Sequence, residues 1–255
     1  WNAKKSLGDW LKEHDVPGIY GIDTRELTKI LREKGSMKGK SVFKGANEIE
    51  FYDPNIENQV AIASCKEVLT YGNGEKKVVL VDCGVKHNII RSLLKRNVTV
   101  IRVPWDYDFN QLEWDGLFIS NGPGNPDFCE ETVKNIRKAM EGSKPICGIC
   151  MGNQLLSKAG GATIYKLKYG HRSHNQPVKM VDSTQCFITS QNHGYAVANA
   201  SLSAEWEPLF INLNDGTNEG IKHKTKPFFS AQFHPEACSG PTDTAFIFDL
   251  FIEKL

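Results

Sequence analysis

The sequence predicts an α/β protein: an open, mostly parallel β-sheet with helices on both faces, preceded by part of a smaller N-terminal domain. Three observations carry this. From Lys77 onward, short apolar runs alternate with amphipathic segments, the pattern of strands and helices in a parallel sheet covered on both sides. Within that alternation, the apolar run 145–149 passes through Gly148-Ile149-Cys150-Met151-Gly152 into a second helical segment, a strand–turn–helix of nucleophile-elbow type. Before Gly74 the chain reads differently, polar and irregular from Gly45 to about Glu75, so the boundary falls between residues 1–74 and 75–255.

The elements follow in order. Leu7, Trp10 and Leu11 form a short helical stripe, and Asp23-Thr24-Arg25-Glu26 is a capping box opening a helix that carries Leu27, Ile30 and Leu31 and stops at Gly35. In the larger part, strands are expected at 77–81, 98–103 and 117–120, with helices at 88–95 and 130–140. The elbow strand comes next, then short strands at 162–165, 178–181, 186–188, 220–223 and 228–233.

Composition narrows the function classes. The 255 residues are 40% apolar and 24% charged, as in ordinary globular proteins. A net charge of +1 gives no basic surplus for nucleic acid, and no apolar window reaches membrane-spanning length. Seven cysteines in an unpatterned, odd set, without a secretion leader, point to free thiols in a reducing compartment and hence to the cytoplasm. The sequence starts at Trp1, directly in helical sequence, which suggests that an N-terminal portion precedes it.

Three groups converge where sites lie in open α/β sheets, beyond the carboxyl ends of the strands. The first is Cys150. Gly148 and Gly152 free the turn from β-carbons, and the helix start places Cys150 beside unpaired N–H groups, Met151's among them. A free thiol, with a pKa near ~8.5, is mostly protonated at neutral pH, so such a setting makes it a better nucleophile. The second is Asn121-Gly122-Pro123-Gly124, whose glycines let backbone approach a ligand and whose Gly122 N–H can face an oxyanion; it is equally an ordinary turn signal. The third is His234-Pro235-Glu236, expected as an extended segment in which imidazole and carboxylate share a face, a base beside its orienting acid. Alone, this is a common loop tripeptide. Cys147 and Cys150 also form a C-x-x-C pair with His171 and His174 downstream, the alternative of a zinc site or a redox dithiol. Against it stand the short His-x-x-His spacing and Cys147's place inside the strand, and no metal is expected.

Taken together, these groups resemble the triad (class I) glutamine amidotransferases, over a span from about Lys77 to the end. Within that family, residues 168–178 and Gln191-Asn192-His193-Gly194-Tyr195-Ala196-Val197 resemble the small subunit of carbamoyl-phosphate synthases, and residues 21–28 are similar to the end of that subunit's amino-terminal domain. The resemblance implies Cys150, His234 and Glu236 as catalytic triad and the N–H groups of Gly122 and Met151 as oxyanion hole. It implies a glutamine pocket lined by Gly124, Gln154, Asn192, Gly194 and Tyr195. It implies no cofactor in this chain, with ATP and Mg²⁺ on a large synthetase partner that receives ammonia. Where the family elbow continues Gly-His-Gln, this sequence has Gly152-Asn153-Gln154. Two other readings remain open: an amidotransferase serving another synthetase, such as those for anthranilate or GMP, and a degenerate glutaminase domain kept as a structural or regulatory subunit.

Overall fold

The computed structural model describes residues 3–255. The chain forms two compact units, Trp1–Met37 and Lys38–Leu255. In the first, α1 (Leu7–Glu13) is capped by the Ser6 hydroxyl, which accepts the Asp9 N–H at 3.1 Å. α2 (Thr24–Lys34) is capped by Asp23, whose carboxylate accepts the Glu26 N–H at 2.9 Å, and it ends at Gly35 with φ 89°. Neither helix buries a side chain fully.

The second unit holds one ten-stranded sheet, in the order β1-β3-β2-β4-β5-β10-β9-β8-β6-β7. The strands are β1 (Leu69–Tyr71), β2 (Lys77–Asp82), β3 (Thr99–Pro104), β4 (Gly116–Ile119), β5 (Ile146–Ile149), β6 (Ile164–Met180), β7 (Cys186–Val197), β8 (Trp206–Asn212), β9 (Asn218–His223) and β10 (Phe228–Ala231). Pairing is parallel throughout the central run β3-β2-β4-β5-β10. It is antiparallel at the β1 edge and from β9 to β7. The "mostly parallel" expectation therefore describes the centre: parallel neighbours need crossovers, and the chain after Ala162 has hairpins in place of helices.

Helices α3 (Gln59–Ala63), α4 (His87–Leu94), α5 (Glu130–Met140), α6 (Met151–Ala159) and α7 (Phe246–Ile252) complete the unit. Strand alternation sorts the core into two layers. Val79 and Val81 of β2 join Val133 and Ile136 of α5 and Leu155 and Leu156 of α6. Val78 and Leu80 join Ile89 and Leu93 of α4 and Phe248 and Phe251 of α7. Phe118 of β4 anchors the second layer, stacked on Phe248 at 5.7 Å and edge-on to Phe251 at 5.2 Å between ring centroids.

Three features differ from the sequence expectation. The break between units lies at Met37/Lys38, not near Gly74, because the polar stretch before Gly74 is attached to the sheet: Val60 enters the core, β1 pairs with β3, and the Cys65 N–H donates to Asp82 at 2.7 Å. The short strands expected at 162–165, 178–181 and 186–188 merge into a long β6–β7 ribbon, whose register shifts between Lys166 and His171 and between Ser173 and Gln176. β8 and α7 are additions; Pro208 interrupts the strand pattern of the first, and the second is apolar on every side of its start.

Phe118→Ala should cost about 3–5 kcal/mol of unfolding free energy, the range for emptying a buried aromatic site. Urea denaturation should show a lower midpoint at unchanged slope, and a change below about 1 kcal/mol would mean that the α7 layer repacks freely.

Candidate active site

Cys150 joins β5 to α6 with φ 55° and ψ −100°. A non-glycine residue held there costs about 1–3 kcal/mol, so the surroundings must impose it. They do so through backbone contact. A β-carbon on Gly148 would collide with the Gly152 carbonyl, and one on Gly152 with the Ile119 carbonyl of β4. On the other side, the Cys150 N–H donates to the Ala231 carbonyl of β10 at 2.8 Å. The turn is clamped between the two neighbouring strands and leaves the cysteine 4% exposed.

Ile119 sits opposite Gly148 in the sheet, so the turns after β4 and β5 leave it side by side. Gly122 is pressed onto β2's exit: a β-carbon there would collide with the Cys83 carbonyl. That exit is held by Asp82, a buried carboxylate that accepts the N–H groups of Gly84 and Val85 at 2.9 and 2.7 Å and pairs with Arg102 at 2.5 Å. Among the described residues, neither the Gly122 nor the Met151 N–H donates to a backbone carbonyl.

His234 follows β10, with its N–H on the Ser190 carbonyl at 2.9 Å. The tripeptide His234-Pro235-Glu236 is not extended as expected but forms a turn closed by the Ala237 N–H on the His234 carbonyl at 3.1 Å, with proline at the favoured second position. The turn folds the carboxylate back onto the ring. His234 Nδ1 donates to Glu236 Oε1 at 2.7 Å, and the Cys150 sulfur is near enough to act on the charge of the ring. Burial opposes the imidazolium, but the nearby Cys150 sulfur and the Glu236 carboxylate outweigh it, and His234 is pushed up to about 10. Burial likewise opposes the Glu236 charge and is overcome by His234 and Lys86, which hold the carboxyl below its usual range.

The structure brings Cys150, His234 and Glu236 together and splits the remaining expected residues into two groups. A cavity of about 670 Å³ is lined by His234, Glu236 and Asn192 together with Lys86, Arg91 and Arg172. Asn192 accepts from Arg172 Nη1 at 2.8 Å. Outside that lining, Gln154 donates to the Tyr195 carbonyl at 3.1 Å, Gly194 lies beside Arg172, and Gly124 (φ 85°) is covered by Gln59 of α3. Sequence reasoning missed Lys86, whose Nζ is 3.7 Å from Glu236 Oε1, and Asn88, which donates to the Glu236 carbonyl at 2.5 Å. Their signal was position: both follow the carboxyl end of a central parallel strand. The C-x-x-C zinc alternative is not assembled, since Cys147 lies buried in β5 and His174 bonds the Ser190 hydroxyl at 2.8 Å.

Because His234 is raised, its pairing stabilises the fold fully below its unfolded value near ~6.5 and loses that contribution as pH rises through about 10. In Glu236→Gln, the imidazole midpoint followed by ring-proton NMR should fall by about 1–3 pH units, and the stability lost between those limits should shrink. An unmoved midpoint would remove Glu236 as the partner that charges this ring.

Comparison with known proteins bears on this site. Residues 79–254 match the family model "Glutamine amidotransferase class-I", and residues 1–41 match "Carbamoyl-phosphate synthase small chain, CPSase domain". The chain is 52% identical over 258 residues to mouse (Mus musculus) "Carbamoyl-phosphate synthase (ammonia), mitochondrial", covering 100% of this chain and 17% of that protein. It is 52% identical to "Multifunctional protein CAD" of the shark Squalus acanthias, over 99% of this chain and 12% of that one. The chain thus spans less than a fifth of these relatives. Among solved structures, a Thermoplasma acidophilum protein assigned to GMP synthase superposes with a TM-score of 0.62 at 26% identity, over 71% of this chain and 94% of that one. The family match covers the strands and turns that carry Cys150, His234 and Glu236, and this chain belongs to the class I glutamine amidotransferases.

Proposed function

We propose that this chain hydrolyses the side-chain amide of glutamine through a Cys150 thioester and delivers the ammonia to a synthetase that makes carbamoyl phosphate from bicarbonate and ATP. One observation carries the chemistry: a buried cysteine held at φ 55° at a helix start, beside a histidine that is itself bonded to a buried carboxylate. The Cys150 sulfur attacks the carboxamide carbon while its proton resides on His234 Nε2. The tetrahedral oxyanion points to the N–H groups of Gly122 and Met151. Collapse breaks the C–N bond, His234 gives its proton to the leaving nitrogen, and ammonia departs from a γ-glutamyl thioester. His234 then takes a proton from water, whose oxygen displaces the sulfur to give glutamate. Gly124, Gln154, Asn192, Gly194 and Tyr195 are the proposed glutamine contacts.

The matches to multidomain carbamoyl-phosphate synthases support a synthetase partner, fused or separate, that holds ATP and Mg²⁺. Free thiols suit the cytoplasm; the mouse relative's name says mitochondrial, also a thiol-compatible compartment. Among the described residues no helix is long and apolar enough to cross a membrane. A second reading has one observation behind it: that relative's name specifies ammonia, which favours a domain kept for structure or regulation.

Labelling with a glutamine-like chloroketone separates the two. Selective modification of Cys150, slowed by glutamine and abolished in Cys150→Ser, is the expected result, and glutamine hydrolysis in that variant should fall about 10³-fold or more. Reaction at Cys150 no faster than at the exposed Cys186 and Cys238, without protection, would favour the second reading. Gly122→Ala keeps its N–H but sets a β-carbon against the Cys83 carbonyl, so the turn must shift; kcat should fall by up to roughly 10²–10³, the worth of one oxyanion donor, and an unchanged kcat would remove this N–H from the oxyanion site.

A further inference from the structure

Behind the strand that carries Asn192 and Gly194, the sheet buries His171 of β6, His193 of β7 and Glu219 of β9 side by side. Their hydrogens do not suffice for their acceptors. His193 Nδ1 is 2.8 Å from the Tyr195 carbonyl, which only accepts, so that nitrogen carries the hydrogen. Burial keeps the ring neutral, pushed down to about 3. Nε2 then offers a lone pair, and it faces Gln191 Oε1 at 3.1 Å and Glu219 Oε1 at 4.0 Å. The Gln191 amide cannot turn round: its Nε2 donates to the Thr189 hydroxyl at 3.0 Å, and that hydroxyl donates to the Gln176 carbonyl at 2.9 Å. Glu219 receives Asn212 Nδ2 on Oε1 at 3.2 Å, while its Oε2 has no hydrogen-bond partner among the described residues.

His171 completes the group. Its Nε2 meets Asp215 Oδ2 at 2.8 Å, and its Nδ1 lies 2.9 Å from Gln191 Oε1 and 3.0 Å from Glu219 Oε1. Each histidine thus has its outer nitrogen tied to a carboxylate or carbonyl and its inner nitrogen turned towards one carboxylate, the arrangement that orients metal-ligating imidazoles. The His171, His193 and Glu219 ligand atoms all lie within 4.8 Å of one another, and the four edges from the imidazole nitrogens to Gln191 Oε1 and Glu219 Oε1 run from 2.9 to 4.0 Å. They bracket the ~3.3 Å edge of a tetrahedron with bonds of about 2.0–2.1 Å.

We propose that His171 Nδ1, His193 Nε2, the Glu219 carboxylate and Gln191 Oε1 form a binding site for one divalent transition-metal ion of the zinc class. A proton is the competitor. Both nitrogens of His171 face carboxylates, Glu219 Oε1 at 3.0 Å and Asp215 Oδ2 at 2.8 Å, so without metal the ring can hold a proton there that binding releases. Of the groups around the site, the Asp215 side chain on the outer nitrogen of His171 is 44% exposed. Sequence analysis expects no metal because only the cysteine spacing is visible there; the three groups lie on strands apart in sequence. The site stands independently of the glutamine reaction.

The test is Co²⁺ titration of the full chain without affinity-tag histidines, in a Cys65→Ser/Cys186→Ser/Cys238→Ser background that removes the more accessible thiols. One equivalent should bind with visible d–d bands, no thiolate charge-transfer band, and release of protons. His171→Asn and Glu219→Gln should each lose this binding, and Asp215→Asn should weaken it about 10–100-fold. Zn²⁺ should also raise the Tm of the parent protein, a readout that does not depend on any variant folding. A folded parent that takes up no Co²⁺ and gains no Tm, binding unchanged in His171→Asn, or a charge-transfer band that vanishes on alkylation of Cys150 would each overturn the proposal.

Discussion

The site depends on backbone meeting backbone at positions where no β-carbon fits. Gly148 abuts Gly152, Gly152 abuts the Ile119 carbonyl, and Gly122 abuts the Cys83 carbonyl. These contacts press the exits of β2, β4 and β5 against one another's backbone and leave the chain no relaxed path between β5 and α6. Cys150 takes the strain, and the Ala231 carbonyl on its N–H prevents the turn from lifting off the sheet. Strain of about 1–3 kcal/mol is tolerable because the two core layers on either side bury many large side chains.

Charge is then placed on that frame. Burial penalises every ionised group at the strand ends, so each charge persists only beside a partner. Asp82 is held by Arg102 and backbone N–H groups, and Glu236 by His234 with the Lys86 ammonium near it. The Asp82 cluster fixes the loop on which Gly122 rests, so an ion pair remote from the cysteine bears on where the Gly122 N–H sits. Glu236 keeps one oxygen without a hydrogen-bond partner among the described residues, which concentrates its interaction on the imidazole.

The parts of this architecture that were legible in sequence are those with a local signature. Asp23 and Gly35 bound α2, the Gly-x-Cys-x-Gly turn marks the elbow, and the β2 and β4 runs read as buried strands because both of their faces are covered. What was not legible is set by pairing at a distance. Lys38 to Tyr71 looks like a linker until Val60 and β1 find the sheet, and β6 reads as two short strands because its polar middle is stabilised by β7 rather than by its own composition. His234-Pro235-Glu236 illustrates the same limit: proline suits both an extended segment and a turn, and only the Ala237 N–H decides. Lys86 and Glu219 carry no motif, and their places come from which strands the topology sets side by side.

Asn153 shows how a departure from the family elbow can be absorbed. It is fully buried; its Nδ2 donates to Gln232 Oε1 at 2.8 Å and its Oδ1 accepts the Ser230 hydroxyl at 2.7 Å. A neutral imidazole offers one donor and one acceptor, which are the two functions this amide uses. Gln232 Oε1 also accepts from Gln154 at 3.2 Å, and Gln154 in turn reaches the Tyr195 carbonyl. The first turn of α6 is thereby bound to β10 and its exit, which lead to His234, and to β7. Residue 153 stands behind Cys150, so its contribution lies in fixing the angle between the helix that Cys150 opens and the strand that leads to His234. An asparagine can meet that demand without any charge.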